Sequence, residues 1–241
     1  ATRLLTYITD GKKTYEATIS LGKSTHTDDK EGDLTFTADQ AVVSKISDDQ
    51  IKDELAKFIG DIKQRPSSVS AIKIDGKTAH ARVRAGESVE IAEREITIYE
   101  LITKDIRHTS DAIEVEITVT CSAGTYIRAI ARDLGDKLKI GGHLISLRRT
   151  LVSPFSIEQC QSVKHAELIP VGEVIEKLFP IRKLELSQSR EISFGRVIEQ
   201  NSSEEVFAAI DNLGNFVALL QNKLQGNLVV AAPILVSGSG Q

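Results

Sequence analysis

The sequence predicts an α+β protein: a mixed, mainly antiparallel sheet with flanking helices, followed by a small β-rich C-terminal domain. Three observations lead there. Strand-like alternation and helical spacing take turns along the chain. Hairpin signals separate several of the strands. After Ser162 the apolar segments shorten and most of them read as strands. Interleaved strands and helices with hairpin turns are the pattern of an α+β domain.

Residues 15–21 alternate, with Tyr15, Ala17, Ile19 and Leu21 on one face, which reads as a half-buried strand. Residues 22–33 are polar and turn-rich and read as a loop. Ser47 and Gln50 are spaced as a capping box. Ile51, Leu55, Phe58, Ile59 and Ile62 follow at helical spacing and predict a helix of about 14 residues ending near 60–62. Pro66 interrupts the chain. Residues 69–74 read as a strand, Asp75 and Gly76 as a turn, and 77–84 as a short helix closed by Gly86. Residues 95–102 carry apolar side chains on both faces, as a central strand does.

The clearest pattern is 113–121. Ile113, Val115, Ile117, Val119 and Cys121 alternate with Glu114, Glu116, Thr118 and Thr120. Gly124 then breaks the strand, Thr125 is placed to cap a helix, and Ile127, Ile130, Ala131, Leu134 and Leu138 take up helical spacing until Gly141 and Gly142. Residues 144–152 are extended up to Pro154. A helix over 171–178 stops before Pro180. Short pieces follow: a helical turn near 189–194, strands at 206–210 and 216–221, and a last strand at 228–236. The expected division is 1–180, 181–236 and a flexible 237–241 tail.

Composition narrows the function classes. The 241 residues are 41% hydrophobic and 27% charged, ordinary for a globular protein and incompatible with long disorder or collagen. No apolar run approaches the roughly 18–20 residues of a membrane helix. The start has no basic, apolar and small-residue succession of a signal peptide, and Cys121 and Cys160 have no metal or redox spacing, so a reducing cytoplasm is expected. The five His are scattered and no glycine-rich phosphate loop is present, so neither a metal nor a cofactor is expected.

Net charge is −4, but it is unevenly spread. Residues 63–84 hold six basic residues against one acid, and 128–149 hold six against two, so the windows carry +5 and +4 and the remainder −13. Such a split fits an anionic ligand on one face, and equally fits two solvated helix surfaces. Gly124-Thr125-Tyr126-Ile127-Arg128 places an aromatic and a guanidinium where a strand passes into a helix, a suitable place for a phosphate or carboxylate.

The stretch Gly124-Thr125-Tyr126-Ile127-Arg128-Ala-Ile-Ala-Arg132-Asp133-Leu134-Gly135 resembles the signature of the bacterial tRNA pseudouridine synthase B (TruB) family, in its actinobacterial form. So do Gly142-His143-Leu144 running to Leu147-Arg148-Arg149-Thr150, and Lys13-Thr14-Tyr15. Gly60-Asp61-Ile62 with Gln64-Arg65-Pro66-Ser67, and Ser70-Ala71-Ile72-Lys73 with Gly76-Lys77, Arg84 and Gly86, complete the run. These pieces keep family order and spacing from residue 1 to about 152. The C-terminal part resembles the family's small PUA-like RNA-binding domain more loosely.

The resemblance implies an isomerase that flips a uridine out of the T loop of tRNA, at position 55. It breaks the glycosidic bond and rejoins the base through carbon, with no cofactor. It implies Tyr15 and Arg128 as catalytic residues: Tyr15 stacks on the flipped base and takes part in proton transfer, and Arg128 pairs with the catalytic aspartate. Tyr126 and Leu147 would line the pocket. Lys73, Lys77, Arg84, Arg148 and Arg149 would meet tRNA phosphates, and His80 stands where the family has Tyr. The partner implied is the tRNA T stem-loop, and the oligomeric state a monomer. The aspartate itself lies in a Gly-x-Leu-Asp segment with no counterpart in these 241 residues, which suggests a chain that starts after that segment. Absence of Met points the same way. The rival reading is a truncated tRNA-binding or tRNA-folding protein without catalysis.

Overall fold

The computed structural model describes residues 4–70, 72–74, 76–85, 91–203 and 205–238. In chain order its first elements are α1 (Leu5–Thr9), β1 (Lys13–Leu21), β2 (Lys23–Thr25), β3 (Leu34–Thr37), α2 (Gln40–Val43) and α3 (Asp48–Ala56). Next come β4 (Gly60–Gln64), β5 (Lys73–Ile74), β6 (Lys77–Thr78), α4 (Ala79–Arg84), β7 (Arg94–His108) and β8 (Ile113–Cys121). Then follow α5 (Ile127–Lys137), β9 (Gly142–Val152), β10 (Phe155–Ser156), α6 (Val171–Leu178), β11 (Ile181–Lys183) and α7 (Leu186–Ser193). Strands β12 (Ile198–Glu199), β13 (Phe207–Ile210), β14 (Phe216–Gln225) and β15 (Leu228–Val236) close the chain.

Two compact units result: 9–159, and 1–8 together with 160–241. Residues 1–8 and 160–180, expected in the larger domain, thus group with the smaller one. The apolar face of α6 is the reason: Ile175 and Phe179 are buried with Leu4, Ala208 and Leu219.

The larger unit is built on a sheet in the order β10-β9-β1-β8-β7-β4, antiparallel throughout. The β8 pattern holds residue for residue: its five odd positions are buried and its even ones half-exposed. Those odd positions, with Ala17, Ile19 and Leu21 of β1 and Ile96 and Ile98 of β7, form one apolar face. Helices α3, through Ile51 and Leu55, and α5, through Ile127, Ile130, Ala131 and Leu134, cover it. The smaller unit has its own sheet, β11-β13-β14-β15-β12, with only the β11–β13 pair parallel, around Phe207, Leu220 and Ile192. Among the described residues no helix is long and apolar enough to cross a membrane.

Several expectations change. The capping box at Ser47 forms with both of its hydrogen bonds, but the helix ends at Ala56. Gly60 adopts φ 106°, a left-handed conformation open to glycine, and the chain turns into β4 beside β7. The strand expected over 69–74 shrinks to Lys73–Ile74, paired with Lys77–Thr78. Gly86, expected to close α4, and Asp75 lie outside the described residues. The loop 22–33 contains β2, which pairs with β3.

Helix α5 meets the sheet at Gly135, where a Cβ would sit 2.1 Å from Gly141 C and Gly142 N. Only hydrogen fits. Gly135→Ala therefore lowers the stability of the larger unit by about 3 kcal/mol in urea unfolding. Gly172→Ala in α6, where a Cβ meets nothing within 4 Å, raises stability by about 0.5 kcal/mol. A Gly135→Ala protein as stable as its parent would refute the close approach.

Candidate active site at the start of helix α5

Gln64, the last residue of β4, is only 2% exposed. Its carboxamide brackets the backbone of Tyr126: the Tyr126 N–H donates to Oε1 at 2.8 Å and Nε2 donates to the Tyr126 carbonyl at 3.1 Å. The helix start is thus fixed from a distant strand. Thr125 does not cap α5 as expected. Tyr126 holds the cap position in extended geometry without a side-chain bond, and the Thr125 hydroxyl donates to the Ser122 carbonyl at 3.0 Å. Gln64 received no role from the sequence reading, because its partner lies 62 residues away.

Arg128 leaves the first turn of α5 and spans two irregular segments. Its Nη1 donates to the Thr27 carbonyl and its Nη2 to the Val69 carbonyl, both at 3.1 Å. Arg132, one turn later, donates from Nη1 to Asp28 Oδ2 at 3.2 Å, from Nη2 to the Arg65 carbonyl at 2.7 Å and from Nε to Asp133 Oδ1 at 2.8 Å. The two basic windows therefore meet here: residues 64–69 of the first are bonded to Tyr126, Arg128 and Arg132 at or beside the second. Among the described residues Arg128 makes no ion pair. Its hydrogen-bond partners there are carbonyl dipoles, and the nearby Asp28 carboxylate, which its charge favours, is bonded instead by Ser67 and Arg132.

Register sorts the residues of β1 and β9. Tyr15 lies opposite Arg149 and Ala17 opposite Leu147, so all four share the face on which α5 packs. Glu16 lies opposite Arg148, on the reverse face. Arg148 lines a shallow groove there with Lys104, Glu116, Thr118 and Ser146. Two arginines adjacent in sequence thus serve opposite faces. Leu147 is 47% exposed although it is on the core face, because it lies beyond the cover that α5 gives Leu144. Beside it, the Tyr15 ring packs on the core cluster, and Arg149, its cross-strand partner, lies near enough to favour its phenolate. Burial pushes the Tyr15 phenol above its ordinary value, and the Arg149 bond and charge pull part of that shift back.

The remaining candidates lie on the β5–β6–α4 segment. The His80 ring is engaged: Nδ1 with the Ser70 carbonyl at 3.2 Å and Nε2 with the Thr78 hydroxyl at 3.4 Å. Lys77 and Arg84 are exposed. The Lys73 side chain lies outside what is described. Cys121 is buried and its thiol is pushed up by burial, as a core residue's would be. Among the described residues no group of His, Cys, Asp and Glu could hold a metal ion.

Known proteins are similar to this chain in sequence or in fold. The family described as TruB family pseudouridylate synthase (N terminal domain) matches residues 1–127, and the tRNA pseudouridylate synthase B C-terminal domain matches 128–175. The tRNA pseudouridine synthase B of Paenarthrobacter aurescens is 42% identical over 255 aligned residues, covering 100% of this chain and 80% of that protein. That of Rhodococcus jostii is 42% identical over 232, covering 92% and 74%. Among solved structures, an H/ACA RNP bound to a substrate RNA containing 2'-deoxyuridine is similar with a TM-score of 0.65, 17% identity, and coverage of 98% and 69%. A Cbf5-Nop10-Gar1 complex is similar with a TM-score of 0.65, 19% identity, and coverage of 98% and 68%. At these identities the two structures speak for the fold alone.

The Tyr15–Arg149 contact makes a spectroscopic prediction. Tyr15, isolated as the difference between parent and Tyr15→Phe ultraviolet titrations, ionises above an ordinary tyrosine. Arg149→Gln removes a group that favours phenolate, so it moves the Tyr15 titration further up. A downward move would refute the contact. Because the folded-state pKa is raised, the associated stability is present below the ordinary tyrosine range and is lost as pH climbs through it.

Proposed function

The chain belongs to the TruB family of pseudouridylate synthases, and from that membership we propose that it converts a uridine of tRNA, position 55 in the T loop, into pseudouridine. In this reading the N1–C1′ bond of the uridine breaks, the base turns, and a C5–C1′ bond forms. The proton leaves C5 and N1 gains one. Substrate and product are isomers, so no oxidant, reductant or cofactor enters the balance.

The supporting observation is the meeting of Tyr15, Leu147 and Arg149 on the face where β8 passes into α5, with Arg128 at the start of that helix. An extruded base needs a platform to replace the stacking it loses, at a cost of a few kcal/mol. The Tyr15 ring and the half-exposed Leu147 offer one, with stacking on an aromatic worth roughly 1–3 kcal/mol. Arg128 is held as a cation by two carbonyls, ready to keep a carboxylate ionised and nucleophilic. By family resemblance that carboxylate is the aspartate of a Gly-x-Leu-Asp segment, which these 241 residues do not contain. Arg149, Lys77 and Arg84 are exposed cations suited to phosphates, and by family resemblance Lys73 joins them. The smaller unit is assigned further contacts with tRNA. The reading carries a monomeric enzyme of the cytoplasm. A protein that only bound tRNA would have no use for a guanidinium fixed by two carbonyls at a helix start, so the binding-only rival gains no support.

With the full-length protein and tRNA tritiated at uridine C5, Arg128→Ala lowers tritium release at saturating tRNA by about 100-fold or more and leaves tRNA affinity within about threefold. Equal loss of turnover and affinity would overturn the assigned role of Arg128. No release by the parent protein would overturn the function.

A further inference from the structure

Arg128 is only as well placed as the two carbonyls that hold it. Thr27 and Val69 both lie outside the long strands, in segments with little ladder to fix them. Those segments are joined to each other through one carboxylate. The Ser67 hydroxyl, two residues before Val69, donates to Asp28 Oδ2 at 2.6 Å, and Asp28 directly follows Thr27. Arg132 donates to the same Oδ2 and also takes the Arg65 carbonyl. Asp28 is 9% exposed and adopts the left-handed conformation, φ 57°. Its own carbonyl accepts from the Leu144 N–H at 3.0 Å, which ties it to the strand that carries Leu147 and Arg149.

We propose that Asp28 is a positioning residue: together with Ser67 and Arg132 it locks the Thr27 and Val69 carbonyls where they aim Arg128. Asp28 does not touch the reacting base. Arg128 and Arg132 are four apart on α5, so they project from the same side. The first grips the two segments by their backbone and the second grips them through Asp28 and the Arg65 carbonyl. Two donors, the Ser67 hydroxyl and the Arg132 guanidinium, converge on one oxygen of Asp28, and the Arg128 charge is near enough to favour its carboxylate. Burial raises the Asp28 carboxyl above its ordinary value while Ser67, Arg132 and Arg128 pull it back. An amide oxygen would keep neutral bonds to the two donors but forfeit the charge that strengthens the bond to Arg132 and faces Arg128.

The inference rests on the catalytic assignment of Arg128, and the test separates the two. In the full-length protein, turnover and tRNA affinity are measured for Asp28→Asn, Arg128→Ala and the double variant. Asp28→Asn is expected to lower turnover about 10- to 100-fold with affinity little changed, the size of effect that misplacement of a catalytic group produces. In the Arg128→Ala background the same change should cost less than about threefold, because a positioning residue has nothing left to position. Full additivity would overturn the proposal, as would unchanged turnover in Asp28→Asn. Should Asp28→Asn fail to fold, Ser67→Ala carries the same cycle with the same readings. If Arg128→Ala itself leaves turnover intact, the catalytic reading of Arg128 fails, and this proposal with it. If the parent releases no tritium, it is the function that fails.

Discussion

Two backbone carbonyls, those of Thr27 and Val69, must be satisfied where no β-ladder reaches them, and one guanidinium serves both. A buried carbonyl left without a donor costs as much as a lost hydrogen bond. The donor must come from something rigid, and α5 is rigid because its apolar face is buried and its backbone touches the strand opening at Gly135. Rigidity therefore passes from the sheet to α5, from α5 through Arg128 and Arg132 to the segments 25–29 and 65–69, and from those segments to the site. Gln64 closes the circuit by fixing Tyr126 from β4.

That circuit explains what could and could not be read from the sequence. Strand β8 was legible to its last residue, since a face buried on one side only leaves a pure alternation. The expected helix ran past Ala56 because Phe58, Ile59 and Ile62 happen to continue the spacing. Pairing with β7 and the conformation of Gly60 decide that segment instead, and neither is a local property. Thr125 was a reasonable cap by type and place. The true constraint on Tyr126 comes from a residue of another strand, invisible to any rule about neighbours. The opposite faces of Arg148 and Arg149 were within reach of the sequence, because 144–152 reads as extended and adjacent residues of a strand alternate. Family resemblance pooled them as phosphate contacts, and register separates them.

The basic windows illustrate how little net charge says about use. Arg132 is spent on Asp28, Asp133 and a carbonyl, which makes it part of the scaffold. Arg128 is held by two carbonyl dipoles, with Asp28 within reach of its charge but not bonded to it. Arg149, Lys77 and Arg84 face solvent. Cations of three kinds are thus counted together in the sums +5 and +4, and only the exposed kind carries charge that salt would readily screen.

Tyr15 shows how the chemistry and the packing constrain each other. A stacking platform has to be partly buried to be rigid, and burial raises the phenol. A raised phenol stays protonated near neutral pH, so in the proposed role Tyr15 would meet the base as a hydrogen-bond donor. To accept the C5 proton it would need a cation close enough to favour phenolate, and a bound base deepens the burial that opposes it. Arg149 is the group that offsets this, being paired with Tyr15 across the β1–β9 ladder. The same cross-strand pairing therefore sets how readily the Tyr15 hydroxyl could exchange a proton, so both roles proposed for Tyr15 would depend on Arg149.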